Sequence, residues 1–233
     1  MTARDDVERR LSEAAVRMYR RYAIEIVEGL VFCPYAVRAR EDDKTREVVL
    51  TDAEPRDADV LEAIEALTED SSIELALILL PRAEMGREDL GRWVEHLRKA
   101  HAAARGGTVM AIEGFHPDAV ADLTTPERLT PFVRRTPDPT LQLTRLDALE
   151  RVRRGTPSGT AFFDPATLDL AALLAQERKA PIHKQIAARN HETVSTLGVE
   201  EVTDRMDAIL ADRNAAYAAI DPEVPMRRVP NED

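Results

Sequence analysis

Apolar residues recur at three- and four-residue steps through the first thirty positions. Val7, Leu11, Ala15, Met18, Tyr22, Ile26 and Leu30 fall on one face, which predicts a helix over 5–30. Gly29 near its end and Pro34 just past it are stop signals. The charged stretch 38–44 reads as an exposed loop. Three strand-then-helix units follow. The first pairs a short β-rich run at 47–51 with a helix over 57–68, which sets Val60, Leu61, Ile64 and Leu67 on one side. The second pairs the nearly all-apolar run 73–80, a pattern of strands buried on both faces, with a helix over 87–104. Gly106-Gly107 closes that helix, and 108–113 is the next strand.

The pattern then breaks. Residues 114–139 hold Pro117, Pro126, Pro131, Pro137 and Pro139 and read as a long irregular loop with a short helix near 118–123. A fourth strand over 140–146 and a short helix over 147–153 complete this part. The stretch Gly155-Thr156-Pro157-Ser158-Gly159-Thr160 is a turn-rich connector. Helix-period segments at 165–178, 182–197 and 199–220 come after it. The last carries Val202, Met206, Ile209, Arg213, Ala216 and Ile220 on one stripe.

Alternating strands and helices argue for an α/β fold: a small, mostly parallel sheet, or a mixed one if a pair is antiparallel, with helices packed on it. The expected organisation is an α/β domain over 1–154, a helical C-terminal extension over 155–221 and a flexible tail over 222–233.

Composition narrows the function classes. The 233 residues carry 32 Lys+Arg against 43 Asp+Glu, a formal charge of −11, which opposes general binding to phosphate backbones. The longest apolar run, 75–81, is too short to span a bilayer, and the charged first ten residues lack the apolar core of a secretory signal. Cys33 is the single cysteine, so no intramolecular disulfide can form, and a reducing cytoplasm is the expected compartment. The bias toward Arg over Lys fits a GC-rich bacterial genome and carries no mechanism.

Four places could hold chemistry. Cys33 is a candidate nucleophile, but it follows a helix C-terminus, where the dipole opposes a thiolate, and a small buried hydrophobe is the plainer reading. His116, in Gly114-Phe115-His116-Pro117, follows a predicted central strand, where α/β ligands gather, and is a candidate general acid/base; its plain reading is a loop hydrogen bond. Arg134 and Arg135, with Arg82 and Thr140, are candidate anion-binding residues, their alternative being pairing with carboxylates such as Asp138. The glycines and hydroxyls of 155–160 could cradle an anion but lack a Walker lysine. His101 reads as a core residue, His96 as solvated, and His183 and His191 are poorly spaced for shared metal ligation. No zinc or dinucleotide motif occurs, so no metal is expected and no cofactor is assigned.

Three segments in order, Leu30-Val31-Phe32-Cys33-Pro34-Tyr35-Ala36, Gly114-Phe115-His116-Pro117 and Arg134-Arg135-Thr136-Pro137-Asp138-Pro139-Thr140-Leu141-Gln142-Leu143, resemble the bacterial domain of unknown function 1415 family over about residues 15–150. Val31-Phe32 stand where that pattern has Asn-Leu, Asp138 replaces an aromatic and Gln142 replaces a histidine. The resemblance implies that Cys33, His116, Arg135, Pro137 and Thr140 belong together in space. It implies no established activity.

Two functions remain in view. One is an enzyme acting on a small anionic metabolite, with Arg134 or Arg135 holding the anion and His116 moving a proton. The other is a non-catalytic ligand-binding or protein-interaction module, with a homodimer through the C-terminal helices as one form of it. Convergence of His116, Arg135 and Cys33 on one concave pocket separates the two.

Overall fold

A computed structural model describes residues 2–33, 35–153 and 182–228. The connector 155–160 and the helix expected over 165–178 lie outside the described residues.

The first helix, α1 (Ala3–Tyr22), opens with a reciprocal cap: Thr2 Oγ1 accepts from the Asp5 N–H, and the Asp5 carboxylate accepts from the Thr2 N–H. The helix expected to run on to residue 30 widens into a π-helical segment at Ala23–Glu28. The chain turns immediately after it. Val31 takes a left-handed φ of 56°, unusual for a β-branched residue. The charged stretch read as a loop contains a short helix, α2 (Ala36–Glu41).

Four strands form the sheet: β1 (Thr45–Val49), β2 (Leu75–Leu79), β3 (Met110–Phe115) and β4 (Thr140–Arg145), in the order β1-β2-β4-β3. β1 and β2 are parallel, and β4 is antiparallel to both β2 and β3. The sheet is therefore mixed. The first three strands run one way, and β4 returns between β2 and β3 to give a split βαβ arrangement.

The connecting helices α3 (Asp57–Glu69) and α4 (Arg87–Arg105) cover one face. Val60, Ile64, Leu90, Val94 and Leu97 pack there against Ala76, Ile78, Ile112, Leu141 and Leu143. Gly114 permits the close fit of α4, since a Cβ there would stand 3.1–3.4 Å from side-chain atoms of Val94 and Leu90. Gly106 ends α4 in the left-handed conformation, as expected. Arg145 caps α3: its Nη2 donates to the Thr68 and Asp70 carbonyls at 3.0 and 2.7 Å.

The other face packs on α1 and on α5 (Pro126–Val133), a helix in the proline-rich stretch where the sequence predicts one only near 118–123. After β4 comes α6 (Leu146–Arg153), and later α7 (Ile182–Leu197) and α8 (Val199–Ala218). Val202, Met206, Ile209 and Tyr217 of α8 share a core with Leu11, Met18 and Tyr22 of α1. That apolar face of α8 is thus covered within the chain. Residues 222–228, the described part of the stretch expected as a flexible tail, pack on the fold: Val224 is buried, and Arg227 donates to the Ala83 carbonyl at 2.7 Å. No described helix is long and apolar enough to cross a membrane.

Candidate functional site at the strand ends

The carboxyl ends of β2 and β3 and the start of β4 lie at one end of the sheet, and three loops meet there. Four of the expected site residues sit among them, each with at least one side-chain polar atom bonded within the chain. His116 is buried. Its Nε2–H donates to the Met85 carbonyl at 2.8 Å, and its Nδ1 accepts from the Asp118 N–H at 3.1 Å. These two bonds select the neutral ring with the proton on Nε2. Burial holds its pKa below the usual histidine value, against the raising effects of the Met85 carbonyl and Asp118. The plainer reading of this residue, a histidine tying a loop, describes its contacts.

Arg135 is buried too. Nε donates to the Pro117 carbonyl at 2.6 Å, and Nη2 to Asp207 Oδ1 at 2.5 Å. The partner is a carboxylate of α8, far along the chain, and not the neighbouring Asp138. Arg82 pairs in the same way with Asp221. The Thr140 hydroxyl, with that of Thr136, donates to the Asp138 carbonyl, at 2.8 and 2.7 Å. The Asp138 carboxylate receives Arg213 of α8 on one oxygen and the Tyr217 hydroxyl on the other. Arg213 also donates to the Pro81 carbonyl at 2.8 Å and lies over the Tyr217 ring at 4.2 Å.

The sequence reading omitted Asp207, Tyr217, Asp221 and Arg227, and gave Arg213 no partner. One signal was present: an arginine on the apolar stripe of a helix is a buried charge in search of a counter-ion.

The space left at this end is small. A cavity of about 10 Å³, lined by Tyr22, Pro117, Arg135, Thr136, Pro137 and Met206 among others, has room for a single water. One buried acceptor, Asp207 Oδ2, has no hydrogen-bond partner.

Cys33 has a different setting. It is partly buried, and its surroundings include Tyr19, Tyr22 and Arg134. Burial pushes the thiol pKa up, while the Tyr35 and Ala36 backbone N–H groups and the Arg134 charge act the other way. Arg134 points away from Arg135. It pairs with Glu113 at 3.2 Å and lies over the Phe115 ring at 5.2 Å. His116, Arg135 and Thr140 thus come together at the strand ends. Cys33 and Arg134 stand with another group of residues.

Of the other histidines, His101 is buried, with Nδ1 bonded to Glu65 at 2.9 Å and Nε2 without a hydrogen-bond partner among the described residues; His96 is exposed beside Asp57, and His191 bonds to the Leu123 carbonyl. Among the described residues no cluster of ligating side chains could hold a metal ion.

A wider concavity than the cavity at the strand ends lies elsewhere. A groove of about 730 Å³ runs between α1 and β1, lined by Ser12, Val16, Arg17, Arg20, Ile24 and Val49 among others.

The family model described as a protein of unknown function (DUF1415) matches residues 15–164, from within α1 past the end of α6. Searches of the curated proteins and of the solved structures found no match.

Proposed function

The chain belongs to the domain of unknown function 1415 family, a membership that brings no activity with it, and we propose that it works as a non-catalytic protein-interaction module, not as a binder of small anions. One observation carries this reading: the groups that would catalyse or hold an anion at the strand ends are engaged within the chain. Both His116 ring nitrogens bond to backbone. Arg135 and Arg82 hold Asp207 and Asp221. A metabolite would have to displace two internal carboxylates and enter a space the size of one water. A general acid/base needs a ring nitrogen free to meet substrate, and His116 offers none.

Calorimetry with phosphate and with succinate tests the reading on the wild type, Arg135→Ala and the less buried Arg82→Ala. No saturable heat is expected with either anion. Binding by the wild type that either substitution abolishes would return the strand ends to the role of an anion site and remove the module reading.

A further inference from the structure

β1 is an edge strand, and among the described residues no strand pairs with its outer side. The Leu50 N–H donates to the Leu79 carbonyl at 3.0 Å, and the Lys44 carbonyl accepts from the Glu74 and Leu75 N–H groups. Even-numbered residues of this stretch therefore turn their main-chain groups toward β2. By the alternation of a strand, Thr45, Glu47 and Val49 turn theirs outward. Arg46 Nη1 donates to the Thr45 carbonyl at 2.9 Å, which covers that end of the edge. Glu47 and Val49 keep open main-chain groups among the described residues, and both line the groove beneath α1.

The walls of the groove combine apolar surface with one unspent charge. Val16, Ile24 and Val49 supply the apolar part, and Ile24 is half exposed. Glu13 is held by Arg9, Glu47 by two nitrogens of Arg20, and Arg21 by Glu25 and Asp212. Arg17 alone of the charged lining has no partner among the described residues.

We propose that this groove binds an extended acidic segment of a partner protein, which adds a strand to the outer edge of β1. Its main chain bonds to Glu47 and Val49, an apolar side chain seats against Val16 and Ile24, and a carboxylate meets Arg17. The inference rests on the binding-module reading and names its surface. Charge argues against a second copy as the occupant: Glu13 and Glu47 of the groove are already held by Arg9 and Arg20, so pairing two β1 edges about a two-fold axis would leave each unpaired Arg17 without a free carboxylate of the groove to meet.

The probe is a fluorescein-labelled heptapeptide with threonine at the odd positions and valine, glutamate and valine at the even ones, so that both side-chain types share the face turned to the groove; its charge-reversed counterpart carries lysine for glutamate. Val49→Pro removes an outward N–H without touching the bonds to β2, and Arg17→Glu reverses the free charge. Circular dichroism reports whether each variant is folded, so Arg17→Glu keeps the test open if the proline is not tolerated. Anisotropy should show saturable binding of the acidic peptide only, weakened roughly tenfold or more by either substitution. Amide exchange at Glu47 and Val49 should slow in the complex.

Absence of binding up to about 1 mM peptide, or equal binding by folded Arg17→Glu, overturns the proposal. A concentration-dependent dimer abolished by Val49→Pro assigns the edge to a second copy and also overturns it. Failure here with silent anion calorimetry costs the module only this surface. An Arg135-dependent anion signal removes the module reading itself.

Discussion

Asp138 and Arg213, 75 positions apart, meet in the interior: one carboxylate oxygen accepts from Nε at 3.0 Å and from Nη2 at 2.8 Å. The two side chains are only 4% and 1% exposed. The Tyr217 hydroxyl takes the second oxygen at 2.7 Å. Asp138→Ala leaves the guanidinium buried without its counter-ion and should cost about 3–5 kcal/mol. Replacing both partners, Asp138→Leu with Arg213→Met, should cost less than Asp138→Ala alone, because no charge is then stranded. Urea unfolding of both variants checks the order; equal losses in the two would show that the charge itself is not what Asp138 satisfies.

His116 gives stability a pH dependence of definite sign. Its folded-state pKa is lowered by burial, with Arg227 and Arg87 adding to the effect and Asp118 opposing it. The unfolded chain then takes up the proton first, so the contribution is present above about pH 6.5 and is lost as pH falls below that value. Melting curves between neutral and mildly acidic pH should show a steeper decline for the wild type than for His116→Gln. Parallel declines would place the titrating group elsewhere.

Val31 carries backbone strain. Its φ of 56° costs a β-branched residue about 1–2 kcal/mol, and its side chain is 41% exposed, so it recovers little by packing. Val31→Asn should stabilise the protein by about 1 kcal/mol, asparagine being the residue the family pattern has at this position. Thermal unfolding decides it; a lower melting temperature would mean that Val31 packs more strongly than its exposure indicates.

Much of the fold is legible in local pattern. The all-apolar run that becomes β2, the stripe of α4 closed by Gly106, and the two C-terminal helices separated at Gly198 each follow from periodicity and a stop signal. The place of β4 is not legible, because its direction depends on where 116–139 brings the chain back. The helix at Pro126–Val133 had a readable start, with Thr125 accepting from the Arg128 N–H and proline in the first turn, but Pro131 inside it masks the signal. The site was legible as a gathering of residues and not as a vacancy. His116, Arg135 and Thr140 do assemble, yet their partners, Asp207 on α8 and Asp138 with its Arg213, are fixed by tertiary packing that no local pattern encodes.

The docking of α8 also bears on how the protein is made. Asp138 leaves the ribosome 75 residues before Arg213, an interval of about 4–15 s at ordinary elongation rates. Until then the loop ahead of β4 carries a carboxylate shaped for burial and no cation to bury with it. The α/β part therefore waits, with that corner hydrated and its α1 surface bare, until late translation delivers the closing helix. In that interval the apolar face of α1 that α8 later covers stays open to aggregation and proteases, and a premature stop ahead of Arg213 would leave the Asp138 carboxylate without its cation.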